Sequence, residues 1–184
     1  MGEVEKLMGE LVHQRKVTVS TYLSSEEGSI VVEGRLDDER KVETISMRGD
    51  KLAPGPIHGM VVRLLIGGLP PVIKKAEAEM PKVPVDLCTG AEQSVKGLEG
   101  LAIASGYSRE VKNRLGGPSG CAHLTALVLA MGGAAVQGGA TARGRLGGPS
   151  KEERKAIVGF LKNTCHLWKE DGHYYKKALE EVEE

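Results

Sequence analysis

The sequence predicts an α+β protein in which a small antiparallel sheet from the N-terminal half packs against helices from the C-terminal half. Three observations carry this. Apolar residues alternate with polar ones in short runs before residue 81, as in half-buried strands. Polar turns and Pro-Gly breaks separate those runs. From residue 85 onward the apolar spacing changes to that of helices.

Residues 3–12 are expected to form a short, frayed amphipathic helix. Val17, Val19, Thr21 and Leu23 then alternate with Lys16, Thr18, Ser20 and Tyr22, the pattern of a first strand. Ser25-Glu26-Glu27-Gly28 reads as a turn, and residues 29–36 as a second strand closed by Asp37-Asp38. Residues 42–47 give a third, completing a meander. Pro54-Gly55-Pro56 breaks the chain before an apolar strand over 57–66. The turn at Gly67–Pro71 leads to its partner over 72–80, since prolines there cannot donate to a ladder.

A helix over 85–99 places Cys88, Ala91, Val95 and Leu98 on one face. Ser108 is the expected cap of a short helix ending at Leu115-Gly116-Gly117. Ser119 is the expected cap of the next, whose stripe is Leu124, Leu127, Val128 and Met131. Seven glycines between 132 and 148 read as a loop, although the first part of that stretch suits a continuation of the helix. Ser150-Lys151-Glu152-Glu153 is a capping box. It opens a helix carrying Ile157, Phe160, Leu161, Thr164, Cys165 and Trp168 and ending at Asp171-Gly172, before a charged terminal helix. The implied organisation is an α+β domain over 1–133, a Gly-rich linker over 134–149, and a helical extension over 150–184 packing on the same domain. Arg-Leu-Gly-Gly-Pro-Ser occurs at 114–119 and again at 145–150. Because its flanks differ, it reads as one loop-to-helix device used twice.

Composition narrows the function. In 184 residues, 25 Lys+Arg balance 25 Asp+Glu, so bulk positive charge does not recruit nucleic acid. One Trp, four Tyr and one Phe supply few surfaces for stacking on bases. No run of about 18 apolar residues is present, so no membrane span is expected. The N-terminus lacks a basic stretch followed by an apolar one, and three cysteines without such a leader read as reduced cytoplasmic thiols.

The candidate chemistry lies in thiols and imidazoles placed beside turns and helix starts. Cys121 and His123 flank the start of a helix, where the helix dipole favours a thiolate. They stand only two residues apart, so both face one ion only if the helix begins after Cys121. Cys88 is near another helix start, and His58 stands where the chain enters the central strand. Each also has a plainer reading: Cys121 and Cys88 as small core residues, His58 as a partner for a turn carbonyl. Cys165 is in phase with Leu161 and Trp168 and is expected to be packing. There is no Cys-x-x-Cys pair, no phosphate-binding Gly-Lys-Ser/Thr loop and no Gly-x-Ser-x-Gly elbow.

Several segments resemble the uncharacterised bacterial family called domain of unknown function 2889. They are residues 28–38, Ile57-His58-Gly59-Met60, residues 84–88, Leu98-Glu99-Gly100-Leu101, residues 120–124 and residues 163–166. That resemblance covers most of the chain and implies no activity. The element order is also similar to that of NifU/IscU-type iron–sulfur scaffold proteins, which join a small sheet to helices and carry three cysteines. His58, Cys88 and Cys121 occupy the three cysteine places. His58 stands where that family has a cysteine, and Met60 where it has an aspartate.

The thiols and imidazoles, taken with this second resemblance, imply a metal site of His58, Cys88 and Cys121, with His123 as a fourth or supporting ligand, holding Zn²⁺ or an iron–sulfur cluster. Two rivals remain open at this level. One is a thiol enzyme or persulfide carrier using Cys121 or Cys88 as nucleophile, with His58 or His123 as base. The other is a non-catalytic module with buried cysteines that binds a protein partner or forms a homodimer. Neither nucleic acid nor membrane is an expected partner.

Overall fold

The computed structural model describes residues 2–183. Four long strands form one antiparallel sheet in the order β1-β2-β5-β6: β1 (His13–Leu23), β2 (Ser29–Arg40), β5 (Gly55–Gly67) and β6 (Val72–Lys82). Two two-residue strands, β3 (Thr44–Ile45) and β4 (Lys51–Leu52), pair apart from it. The expected third strand is reduced to this hairpin, which buries neither residue of β3. Residues 3–12 do not form the expected helix. A single 3₁₀ turn covers Glu5–Leu7, and the segment's apolar residues stay exposed because nothing packs on them.

The sheet buries one face. Ile30, Val32 and Leu36 of β2 and Met60, Val62, Leu64 and Ile66 of β5 point to the helices with a period of two. The opposite face is charged: Arg63 of β5 bridges Glu33 of β2 and Glu79 of β6 across three strands.

Asp86–Leu98 winds as 3₁₀ turns against β6 instead of an α-helix, burying Val95 and Leu98. Helix α1 (Tyr107–Leu115) follows, starting from Gly106 in a left-handed conformation (φ 88°) rather than from a side-chain cap at Ser108. The second expected cap, Ser119, lies in a 3₁₀ turn over Gly117–Ser119, and Cys121 takes the N-cap position of helix α2.

Helix α2 (Ala122–Arg145) spans 24 residues, so the glycine-rich stretch expected as a linker is helical as far as Arg145. The reason is tertiary. Glycine disfavours an isolated helix by about 1 kcal/mol per residue, but here packing on the sheet outweighs it. The helix lies against β1 and β2 through Leu124, Leu127, Val128, Met131 and Ala135, all buried. At Gly34 of β2 a Cβ atom would stand 2.6 Å from Met131 Sδ, so the absent side chain leaves room for the methionine. By length and composition α2 is also apolar enough to cross a membrane, and a third of its most apolar window is buried in the fold.

Helix α3 (Lys151–Leu161) starts with the expected capping box. Glu153 N donates to Ser150 Oγ, and Ser150 N donates to Glu153 Oε2. It stops at Leu161, ten residues before the expected end, and Cys165 is exposed rather than packed. Helix α4 (His173–Glu183) turns back on α3 around a separate small core of Val158, Tyr175 and Val182.

Candidate metal centre

Three residues on neighbouring strands stand abreast at one end of the sheet. Arg15 of β1 is paired in register with Asp38 of β2, and Asp38 with His58 of β5. Cross-strand partners share a face, and this is the face that α2 covers. Just beyond Asp38 the β2–β5 register shifts by one residue. Such bulges kink a strand and re-aim its side chains. The fourth member comes from α2, whose second residue is His123.

All four meet at the Asp38 carboxylate, which is 2% exposed. Arg15 grips it from the side: Nε donates to Oδ1 and Nη2 to Oδ2, each at 2.6 Å. His58 Nδ1 lies 3.0 Å from Oδ2 and His123 Nε2 3.7 Å from the same oxygen. His13 Nε2 stands 3.6 Å from Oδ1. The His58 and His123 rings are stacked, with centres 3.9 Å apart and planes tilted by 33°. One ligand atom from each of Asp38, His58 and His123 falls within 4.8 Å of the other two.

The electrostatics favour an ionised Asp38 carboxylate beside a neutral His123 ring. The hydrogen bonds from Arg15 hold the Asp38 carboxyl below the usual aspartate range against the opposing effect of burial, with help from His58. His123 is shifted below the ordinary histidine value, first by burial and then by repulsion from His58 and Arg15, with Asp38 opposing. A neutral imidazole is the form that ligates a metal. The depressed value also fixes the sign of a pH effect. The unfolded chain binds a proton at this ring more readily, so His123 favours the fold above about pH 6.5 and loses that contribution as pH falls. Urea denaturation at pH 7 and pH 5 is expected to show a smaller pH-dependent loss in His123→Gln than in wild type.

His123 is fixed from behind. Cys121 Sγ stands 3.7 Å from its Nδ1, the nitrogen turned away from Asp38. The buried hydroxyl of Thr125 shares its single proton between the carbonyls of Leu115 and Cys121, at 2.9 and 2.8 Å, tying the first turn of α2 to the end of α1. Gly120 makes the junction close, since a Cβ there would stand 3.0 Å from the Leu115 carbonyl carbon. Thr125→Val removes the hydroxyl from both carbonyls and strands that of Leu115, whereas the Cys121 carbonyl keeps the Thr125 backbone N–H at 2.9 Å. We expect a loss of about 1–3 kcal/mol in thermal or urea unfolding and a shifted His123 ring resonance by NMR.

Of the residues singled out from sequence, the structure brings together His58 and His123, with Cys121 against the second ring. Cys88 does not join them. It packs, partly buried, on the main core beside Ala91. Asp38, Arg15 and His13 escaped the sequence reading, although a signal for Asp38 was present. Asp38 continues the alternation Ile30, Val32, Gly34, Leu36 by one more step, which puts a carboxylate on the core side. A buried carboxylate requires partners.

The family described as Protein of unknown function (DUF2889) matches residues 13–137, a range that contains every residue of this cluster. No curated protein and no solved structure matches the chain. The likeness to iron–sulfur scaffold proteins therefore finds no support in these comparisons.

Proposed function

Because the chain belongs to the DUF2889 family of unknown function, we propose from its site alone that it binds a divalent first-row metal ion through Asp38, His58 and His123. The observation that carries this is the convergence of three ligand atoms, from β2, β5 and α2, within 4.8 Å of one another. An ion about 2.0–2.2 Å from each N or O donor separates tetrahedral ligands by about 3.3 Å. The contacts of Asp38 Oδ2 to the two rings, 3.0 and 3.7 Å, bracket that value. Two imidazoles and a carboxylate suit Zn²⁺, or Fe²⁺ of similar geometry. An iron–sulfur cluster calls for thiolates, and of the three cysteines only Cys121 touches this group. Arg15 and Cys121 act as outer partners that orient a carboxylate and a ring, as supports of metal ligands do.

Elemental analysis of protein purified without chelator tests the reading. Zinc or iron near one equivalent, lost in His58→Ala, supports it. A metal-free chain whose unfolding ignores added Zn²⁺ sinks it.

A second reading is favoured by one specific chain of contacts: Cys121 Sγ to His123 Nδ1, then His123 Nε2 to Asp38, each 3.7 Å. That is the order of a thiol nucleophile, its base and the group that orients the base. It predicts that iodoacetamide alkylates Cys121 faster than the exposed Cys165, and that His123→Gln removes the difference.

A further inference from the structure

The charge around the centre specifies what completes it. Arg15 cancels Asp38, and the two imidazoles ligate as neutral rings, so a divalent ion would leave its two positive charges uncompensated. A charge held in a partly dry site demands a counter-charge. Three protein ligands also leave a coordination position for an exogenous group.

Arg15 supplies the second half of the recognition. Its side-on edge, Nε with Nη2, is used by Asp38. Among the described residues its Nη1 makes no hydrogen bond within the chain, so its end-on edge remains available. Arginine's planar fork matches carboxylate and phosphate oxygens in pairs. The side chain is 40% exposed on the edge strand β1, so this edge is open to solvent beside the ligand atoms. His13, also on β1, flanks the same carboxylate. The next carboxylate along β2, Glu39, is already paired with Lys41 and does not oppose an incoming anion.

We infer that the centre binds a small oxyanion, a carboxylate or a phosphoryl group, shared between the metal and the free edge of Arg15. The inference rests on the metal reading above.

The test uses the full chain loaded with Co²⁺, whose visible spectrum reports changes in its ligands. Acetate and inorganic phosphate are titrated separately, with uncharged acetamide as control. A saturable spectral change with either anion and none with acetamide is the expected result, and the anion that binds more tightly identifies the class. Arg15→Lys keeps the charge but loses the fork; loaded with excess Co²⁺ to offset the weaker metal binding expected when an outer partner changes, it should show an anion affinity lower by about tenfold or more. A loaded protein whose spectrum is unmoved by both anions overturns this inference and leaves the metal reading standing. An equal response in wild type and Arg15→Lys removes Arg15 from the recognition and overturns the shared-anion arrangement. A chain that takes up no Co²⁺ overturns both.

Discussion

Zinc affinity of the Asp38→Asn protein is expected to fall by about a hundredfold or more, because even an outer partner of a metal ligand is worth 10–100-fold and Asp38 is a proposed ligand itself. The substitution keeps the side chain's shape and removes its charge. It takes from His58 and His123 the oxygen that both face. It also leaves Arg15 opposite an amide that can accept only one of its two bonds. Isothermal titration with Zn²⁺ reads the first effect. Stability falls too, by about 1–3 kcal/mol in the metal-free protein, the range for hydrogen bonds to a charged group, with the partial exposure of Arg15 limiting the loss. The pH dependence separates the two states. The folded Asp38 carboxyl titrates below its unfolded value, so its contribution is present above about pH 4 and is lost as pH falls further. Wild type should show this acid step in its unfolding free energy, and Asp38→Asn should lack it.

The second large effect concerns how α2 reaches the sheet. At Gly138 an added Cβ would stand 2.5 Å from both Thr21 Cβ and Thr21 Cγ2 of β1. These atoms lie next to the strand backbone and cannot swing aside as a long side chain does. At Gly132 the added Cβ would meet the Tyr107 ring, which is held in place by its hydroxyl donating to the Val128 carbonyl. In an open helix Gly→Ala stabilises by about 1 kcal/mol. At these two positions overpacking of about 1–3 kcal/mol or more should reverse the sign. Gly133→Ala is the contrast, because nothing lies within 4 Å of its added Cβ. Chemical denaturation of the three variants should show Gly133→Ala neutral or stabilised and the other two destabilised. Equal stabilisation in all three would mean that α2 does not pack on β1 and α1 as described.

The same packing explains where the sequence could be read and where it could not. Period-two alternation made the long strands visible, because one face of the sheet is buried and the other is not. It placed β1, β2, β5 and β6 close to their true spans. The length of α2 was hidden because glycine propensity argues against a helix. Only the neighbours in space, Thr21 and the Tyr107 ring, explain why glycines are needed inside one. The 3₁₀ winding of Asp86–Leu98 leaves no mark in apolar spacing, since Val95 and Leu98 fit either kind of turn. In the site, His58 and His123 stood out by residue type. Asp38 looked like the end of a strand until its phase with Leu36 was followed one step further. Arg15 has no local signal at all, because its role comes from a strand pairing 23 residues away.

The row of Arg15, Asp38 and His58 has a consequence for folding fidelity. Successive side chains of a strand point to opposite faces, so a slip of one residue between β1 and β2 would carry Arg15 to the solvent side. Asp38 would then lose the cation that keeps it ionised while remaining under α2. Apolar neighbours alone tolerate such a slip more easily, since β1 offers only partly buried residues such as Val19 to the core. The ionic row therefore works as a proofreading device for the edge strand: a misaligned β1 is rejected at the end of the sheet where the ligands must meet.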